Sequence, residues 1–181
     1  MQLINTGFRD LFLIQPTIFG DHRGYFFESF NARDFSHKTG LTIDFVQDNE
    51  SMSKAGVVRG LHFQKPPFTQ DKLVRVLTGS VLDVVVDLRK DEPTYGKVFS
   101  QVLSGENKLQ LFVPKGFAHG FATLQDQTVF SYKCSDFYNK DAEDSILWND
   151  PDLAIDWQIK EATVSEKDRN GKKFVTFESP F

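Results

Sequence analysis

Residues 59–64 read Arg-Gly-Leu-His-Phe-Gln, and the same chain later carries Lys72, Tyr132 and Asp168. These residue types suit proton transfer at a carbon beside a ketone. That chemistry needs a base, a cation facing the developing enolate oxygen, and an acid that returns a proton to carbon. Imidazole is the commonest general base, and a carboxylate behind it fixes its tautomer. By spacing alone each residue also has a plainer reading. His62 in a strand-like run suits a hydrogen-bonded core histidine, and Lys72 at a strand start suits a solvated cation. Tyr132 suits core packing. Asp168 lies three residues after Ser165, the spacing of a helix cap and its acidic third position.

The elements that must position these groups are short. Leu73–Leu77, Thr-Gly-Ser and Val81–Leu88 read as a hairpin. Val81, Asp83, Val85 and Asp87 alternate with Leu82, Val84, Val86 and Leu88. Apolar residues in both sets predict a strand buried on both faces or lying beside the site. Leu109–Val113 and Ala118–Leu124 flank the turn Pro-Lys-Gly. Val129–Tyr138 reads as one long strand, which would put Tyr132 and Tyr138 on one face. Trp148–Trp157 reads as turn and loop. Short helices are expected at Ala32–Lys38, capped by Asn31, and near Ser165–Arg169. Many short strands predict an all-β sandwich or barrel. Strict alternation puts Arg59 and His62 on opposite faces, so either a bulge intervenes at Gly60 or Arg59 serves another part of the site.

The chain has 181 residues, which suits one domain, and its nineteen Phe supply ample apolar mass. A formal net charge of −4 without a basic block argues against broad nucleic-acid or membrane-surface binding. The single cysteine, Cys134, excludes an intrachain disulfide and agrees with a reducing cytoplasm. No signal-peptide pattern or membrane-length apolar run is present. There is no Rossmann fingerprint or P-loop, so a diphosphate would have to meet side chains; Arg23 and Arg59 are candidates.

Eight stretches in order, FGDHRGYFFESFNARDF (19–35), VQDNES (46–51), VVRGLHFQ (57–64), QDKLVRVLTGSVLDVVVDLR (70–89), PTYGK (93–97), VPKGFAHGF (113–121), WNDPDLAIDW (148–157) and SEKDRNGK (165–172), resemble the dTDP-4-dehydrorhamnose 3,5-epimerase family. The resemblance implies a cupin-type double-stranded β-helix, with short peripheral helices and an N-terminal segment exchanged between the protomers of a homodimer. It implies His62 as base, Asp168 as its partner, Lys72 on the ketone oxygen and Tyr132 as the acid on the opposite face of the sugar. Tyr138 would stack on thymine. Phe19, Arg23, Phe26, Glu28, Gln47, Asn49, Arg59, His119, Glu143 and Lys167 would contact the dTDP-sugar. Metal-binding cupins carry His-x-His plus a glutamate, and Gln64 stands at the second His position here. Neither metal nor cofactor is therefore expected. The implied reaction is inversion at C3 and C5 of dTDP-4-dehydro-6-deoxy-D-glucose. The alternatives are inversion at one carbon, a non-catalytic sugar-nucleotide binder, and a metal-dependent cupin oxygenase. Phe68-Thr-Gln-Asp71, Lys97-Val-Phe-Ser and Glu143-Asp-Ser-Ile depart from the family pattern at the pocket rim.

Overall fold

The computed structural model describes all of residues 1–181. The chain opens with strands β1 (Gln2–Asn5) and β2 (Phe12–Gln15), then a small ribbon of β3 (Phe19–Asp21) and β4 (Gly24–Phe26). Helix α1 (Ala32–Thr39) follows, with the Asn31 side chain accepting a hydrogen bond from the Asp34 N–H at its start. Next come β5 (Gln47–Ser53), β6 (Val57–Gln64), β7 (Lys72–Thr78), β8 (Ser80–Asp87), β9 (Val98–Ser104), β10 (Gln110–Val113), β11 (Phe117–Thr123) and β12 (Thr128–Cys134). β13 (Glu143–Ser145), β14 (Thr163–Val164) and the one-turn helix α2 (Glu166–Arg169) complete the chain's main elements.

Two sheets face each other. One has the order β1-β2-β10-β7-β12-β5; the other runs β13-β6-β11-β8-β9, with β14 parallel on β6. The other pairings within both sheets are antiparallel, which gives the all-β, cupin-type jelly-roll barrel that was expected. Between the sheets lie Val74, Val76, Leu111 and Phe130 from the first, against Val81, Val85, Leu103 and Phe121 from the second. The outer face of the second sheet, including Leu82, Val84 and Val86, is covered by Ile146, Leu153, Trp157 and Phe177 from the C-terminal segment. Every residue of β8 is therefore buried, which explains its two apolar sets. On the outer face of the first sheet, Phe35 of α1 packs on Ile14, Leu73 and Phe112.

Two expectations need correction. Leu73–Leu77 and Val81–Leu88 are strands but not a hairpin, because β7 and β8 belong to opposite sheets. The turn between them crosses the barrel at Gly79, whose φ is +78° and where a Cβ would meet the Thr128 side chain at 2.2 Å. Each strand finds better partners elsewhere: β7 between β10 and β12, β8 between β11 and β9. The strand expected over Val129–Tyr138 ends at Cys134, and the chain bends away at Ser135 and Asp136. The Trp148–Trp157 stretch is turn and loop as expected. No helix is long and apolar enough to cross a membrane.

Candidate active site

The site begins with a bulge in β6. His62 pairs with His119 on β11, and Arg59 pairs with Phe121, so three steps on β6 oppose two on β11. The extra residue cancels strict alternation and turns both Arg59 and His62 toward one cavity. Gly60 makes this possible. Its φ is +130°, and a Cβ there would stand 2.5 Å from the Gly120 Cα and 2.9 Å from the His119 carbonyl oxygen. Both neighbours are backbone and cannot rotate away.

Asp168 reaches His62 from across 106 positions of sequence. Its Oδ1 lies 2.6 Å from the His62 Nε2. Its own N–H donates to the Ser165 hydroxyl at 3.1 Å, so the helix-cap role and the histidine contact coexist. The parallel pairing of β14 with β6 seats this short helix against the strand. Burial pushes the Asp168 carboxyl up, but hydrogen bonds from His62, Ser165 and the Gly60 N–H outweigh it and hold it below the usual carboxylate range. With Nε2 engaged, Nδ1 is the nitrogen of His62 that has no partner in the chain.

Lys72 opens β7, directly across from Cys134 of β12 and Val113 of β10. Its half-buried ammonium is pushed below the ordinary lysine range by desolvation, opposed by Cys134, Asp83 and Glu143. Tyr132 lies in mid-strand between Asn49 and Val74. Burial first, then Cys134 and Glu143, raise its phenol above the usual value against the pull of Arg59. The phenol therefore keeps its proton through neutral pH, the state a proton donor needs.

The cavity has two joined lobes, one of about 600 Å³ and one of about 280 Å³. Asn49, His62, Lys72 and Tyr132 line both, so they stand at the junction. Arg59, His119, Lys167 and Asp168 line the larger lobe. Gln47, Tyr138 and Glu143 line the smaller one, with Gln64, Gln70 and Cys134. Tyr138 gets there from the loop after β12 rather than from the strand. Its hydroxyl donates to Glu143 at 2.8 Å, its N–H donates to the Gln47 side chain at 3.1 Å, and its ring is 53% exposed. Lys167 forms an ion pair with the same Glu143. Burial pushes the Glu143 carboxyl up, but Lys167 and Tyr138 hold it below the usual range.

Four expected residues are not brought to this cavity. Phe19, Arg23 and Phe26 sit on the exposed β3–β4 ribbon, around a separate shallow pocket. Glu28 lines a third cavity beside α1, one lined by no histidine. The Arg23 guanidinium folds back onto Asp21 of its own turn. None of these four side chains lines either lobe of the cavity.

Sequence reasoning also missed residues. Asp83 is fully buried and holds the His119 Nε2 with both oxygens, at 3.1 and 3.0 Å. Its signal was legible: an aspartate inside Leu-Asp-Val-Val-Val needs a partner when its strand is buried. Asp71, a departure from the family pattern, is buried too. It accepts hydrogen bonds from the Ser135 hydroxyl and the Lys115 N–H, both at 3.0 Å, tying the start of β7 to neighbouring turns.

A family model described as dTDP-4-dehydrorhamnose 3,5-epimerase matches residues 5–176. A relative of that name from Shigella flexneri is 49% identical over 175 residues, covering 97% of each chain. The crystal structure of dTDP-4-dehydrorhamnose 3,5-epimerase from Elizabethkingia anophelis superposes with a TM-score of 0.93 at 52% identity, covering 97% of each chain. A Legionella pneumophila dTDP-6-deoxy-D-glucose-3,5-epimerase, solved in complex with dTDP-4-keto-L-rhamnose, gives a TM-score of 0.94 at 48% identity, over 98% of this chain and 94% of that one.

Proposed function

The chain belongs to the dTDP-4-dehydrorhamnose 3,5-epimerase family, and we propose that it is an isomerase inverting C3 and C5 of dTDP-4-dehydro-6-deoxy-D-glucose to give dTDP-4-dehydro-L-rhamnose. The observation that carries this reading is the His62–Asp168 pair, at 2.6 Å, set at the cavity junction with Lys72 and Tyr132. His62, through Nδ1, takes the proton from the carbon beside the C4 ketone. The C–H electron pair moves into an enolate, and the Lys72 ammonium faces its oxygen. This cation stabilises the enolate more than the ketone, which is differential transition-state binding. Tyr132 then protonates carbon from the opposite face, and the stereocentre inverts. His62 then gives its proton to solvent and Tyr132 regains one, and the same cycle repeats at the second carbon. In this reading Arg59 pairs with the diphosphate, Lys167 adds a polar contact and Tyr138 stacks on the thymine ring.

The whole of residues 1–181 acts as one domain in this reading, as a homodimer in the cytoplasm. Support for the dimer is the ribbon: Phe19 is 61% and Phe26 66% exposed, and with Arg23 they line a shallow surface pocket apart from the catalytic cavity. A partner's ribbon would supply Phe19, Arg23, Phe26 and Glu28 to the nucleotide end of the site.

The reading is tested by incubating the protein with the 4-keto sugar nucleotide in deuterated water and following it by NMR. Deuterium at both C3 and C5 is expected. Label at one carbon would reassign the chain to a single-site epimerase, and no label would sink the proton-transfer reading. Activity is also expected to survive exhaustive chelation. His62 and His119 are each engaged by an aspartate, and no group of three or more His, Cys, Asp or Glu side chains is placed to hold a metal ion. Loss of turnover with chelator, restored by one divalent ion, would overturn this.

A further inference from the structure

Asp83 has no solvent exposure, and none of the steps above uses it. It lies on the inner face of β8 and grips the His119 Nε2 with both carboxylate oxygens. His119 is in turn the direct cross-strand neighbour of His62. Two histidines thus stand side by side, each held through Nε2 by a buried aspartate from a different element. The two pairs are not equivalent: the His62 side chain is 29% exposed and that of His119 only 8%. Nδ1 of His119 has no partner within the chain, and the residue lines the larger lobe. A carboxylate this deep is costly unless counter-charge offsets the lost hydration. The hydrogen bonds with the His119 Nε2 oppose a burial effect that raises the carboxyl above its ordinary range.

We propose that Asp83 is a positioning residue for the reaction, which holds His119 with Nδ1 toward the sugar. This rests on the epimerase reading. An imidazole held this way presents Nδ1 as an acceptor for a sugar hydroxyl, which orients the ring over His62.

Asp83→Asn tests this, since Asn keeps the shape and one acceptor oxygen but removes the charge. Turnover should fall about 10- to 100-fold, the range over which the carboxylate behind a functional histidine acts, with a smaller change in KM. An unchanged kcat would overturn the proposal, leaving Asp83 a structural residue. Nitrogen-15 NMR of His119 in the sugar-free wild-type protein adds a readout that needs neither substrate nor a folded variant. A proton on Nε2 is expected, and a proton on Nδ1 instead would overturn the positioning role. Should the wild type turn over no sugar, the epimerase reading fails while the His119 spectrum still decides on Asp83.

Discussion

At the scale of single residues, the base and the acid make separable predictions. If His62 and Tyr132 act on opposite faces, Tyr132→Phe leaves His62 able to form the enolate but only His62 able to return the proton. The variant should wash deuterium into C3 or C5 with retained configuration while epimer formation falls by ~10²–10⁴-fold. A core-packing tyrosine predicts near-wild-type turnover instead, because Phe keeps the ring. Asp168→Asn removes the charge behind His62 and should lower kcat by ~10²–10⁴-fold. It should also change stability on the acid side. Asp168 has a depressed carboxyl pKa in the fold, so its contribution is complete above the ordinary carboxylate value of about 4 and is lost as pH falls through the lowered value. Urea unfolding from about pH 7 to about pH 3 should show a shallower loss in the variant than in the wild type. Parallel curves would mean that the dyad stabilises nothing in this range.

At the scale of elements, the bulge at Gly60 sets the aim of both Arg59 and His62. Gly60→Ala places a Cβ against the backbone of Gly120 and forces a side chain into φ +130°. Either β6 straightens or it parts from β11. Positive φ and strain of this kind cost roughly 1–3 kcal/mol, and the clash with backbone adds to it. Chemical denaturation should register a loss of at least that size, and kcat should fall further than the lost stability accounts for. A variant with wild-type stability and turnover would show that the bulge tolerates a side chain and does not aim the site. α2 illustrates the same scale. It is only one turn long, yet its Ser165 cap and the β14–β6 pairing hold Asp168 where His62 needs it.

At the scale of the molecule, the ribbon and the catalytic junction lie apart within one chain. If a partner's ribbon completes the nucleotide end, a site needs His62 from one protomer and Arg23 from the other. His62→Ala and Arg23→Ala proteins should each be nearly inactive alone. After unfolding and refolding together, random pairing should return about a quarter of wild-type activity, because half the dimers are mixed and each has one intact site. A mixture no more active than its parents would place Arg23 and His62 in the same protomer's site, or remove Arg23 from it.

Local chemistry was legible without coordinates. Asn31 and Ser165 announced their helices because a cap is an interaction between residues three apart. The two-sided apolar pattern of Val81–Leu88 announced burial on both faces because alternation is a property of the strand itself. The eight matched stretches carried the family and the barrel. What the strands paired with was decided only in three dimensions. Leu73–Leu77 and Val81–Leu88 read as a hairpin because adjacency in sequence favours pairing, but the turn at Gly79 spends that adjacency on crossing between sheets. Tyr138 left its expected strand because β12 ends where its partners Gln47 and Lys72 end. The bulge was one of two options until the register with β11 selected it, since an extra residue shows only against a partner strand. Asp83 and Asp168 show the contrast most directly. Alone, each is an acid in a local pattern. Only the pairing of β8 with β11 and the docking of α2 set them against His119 and His62, because hydrogen-bond partners tens of residues away are specified by the fold as a whole.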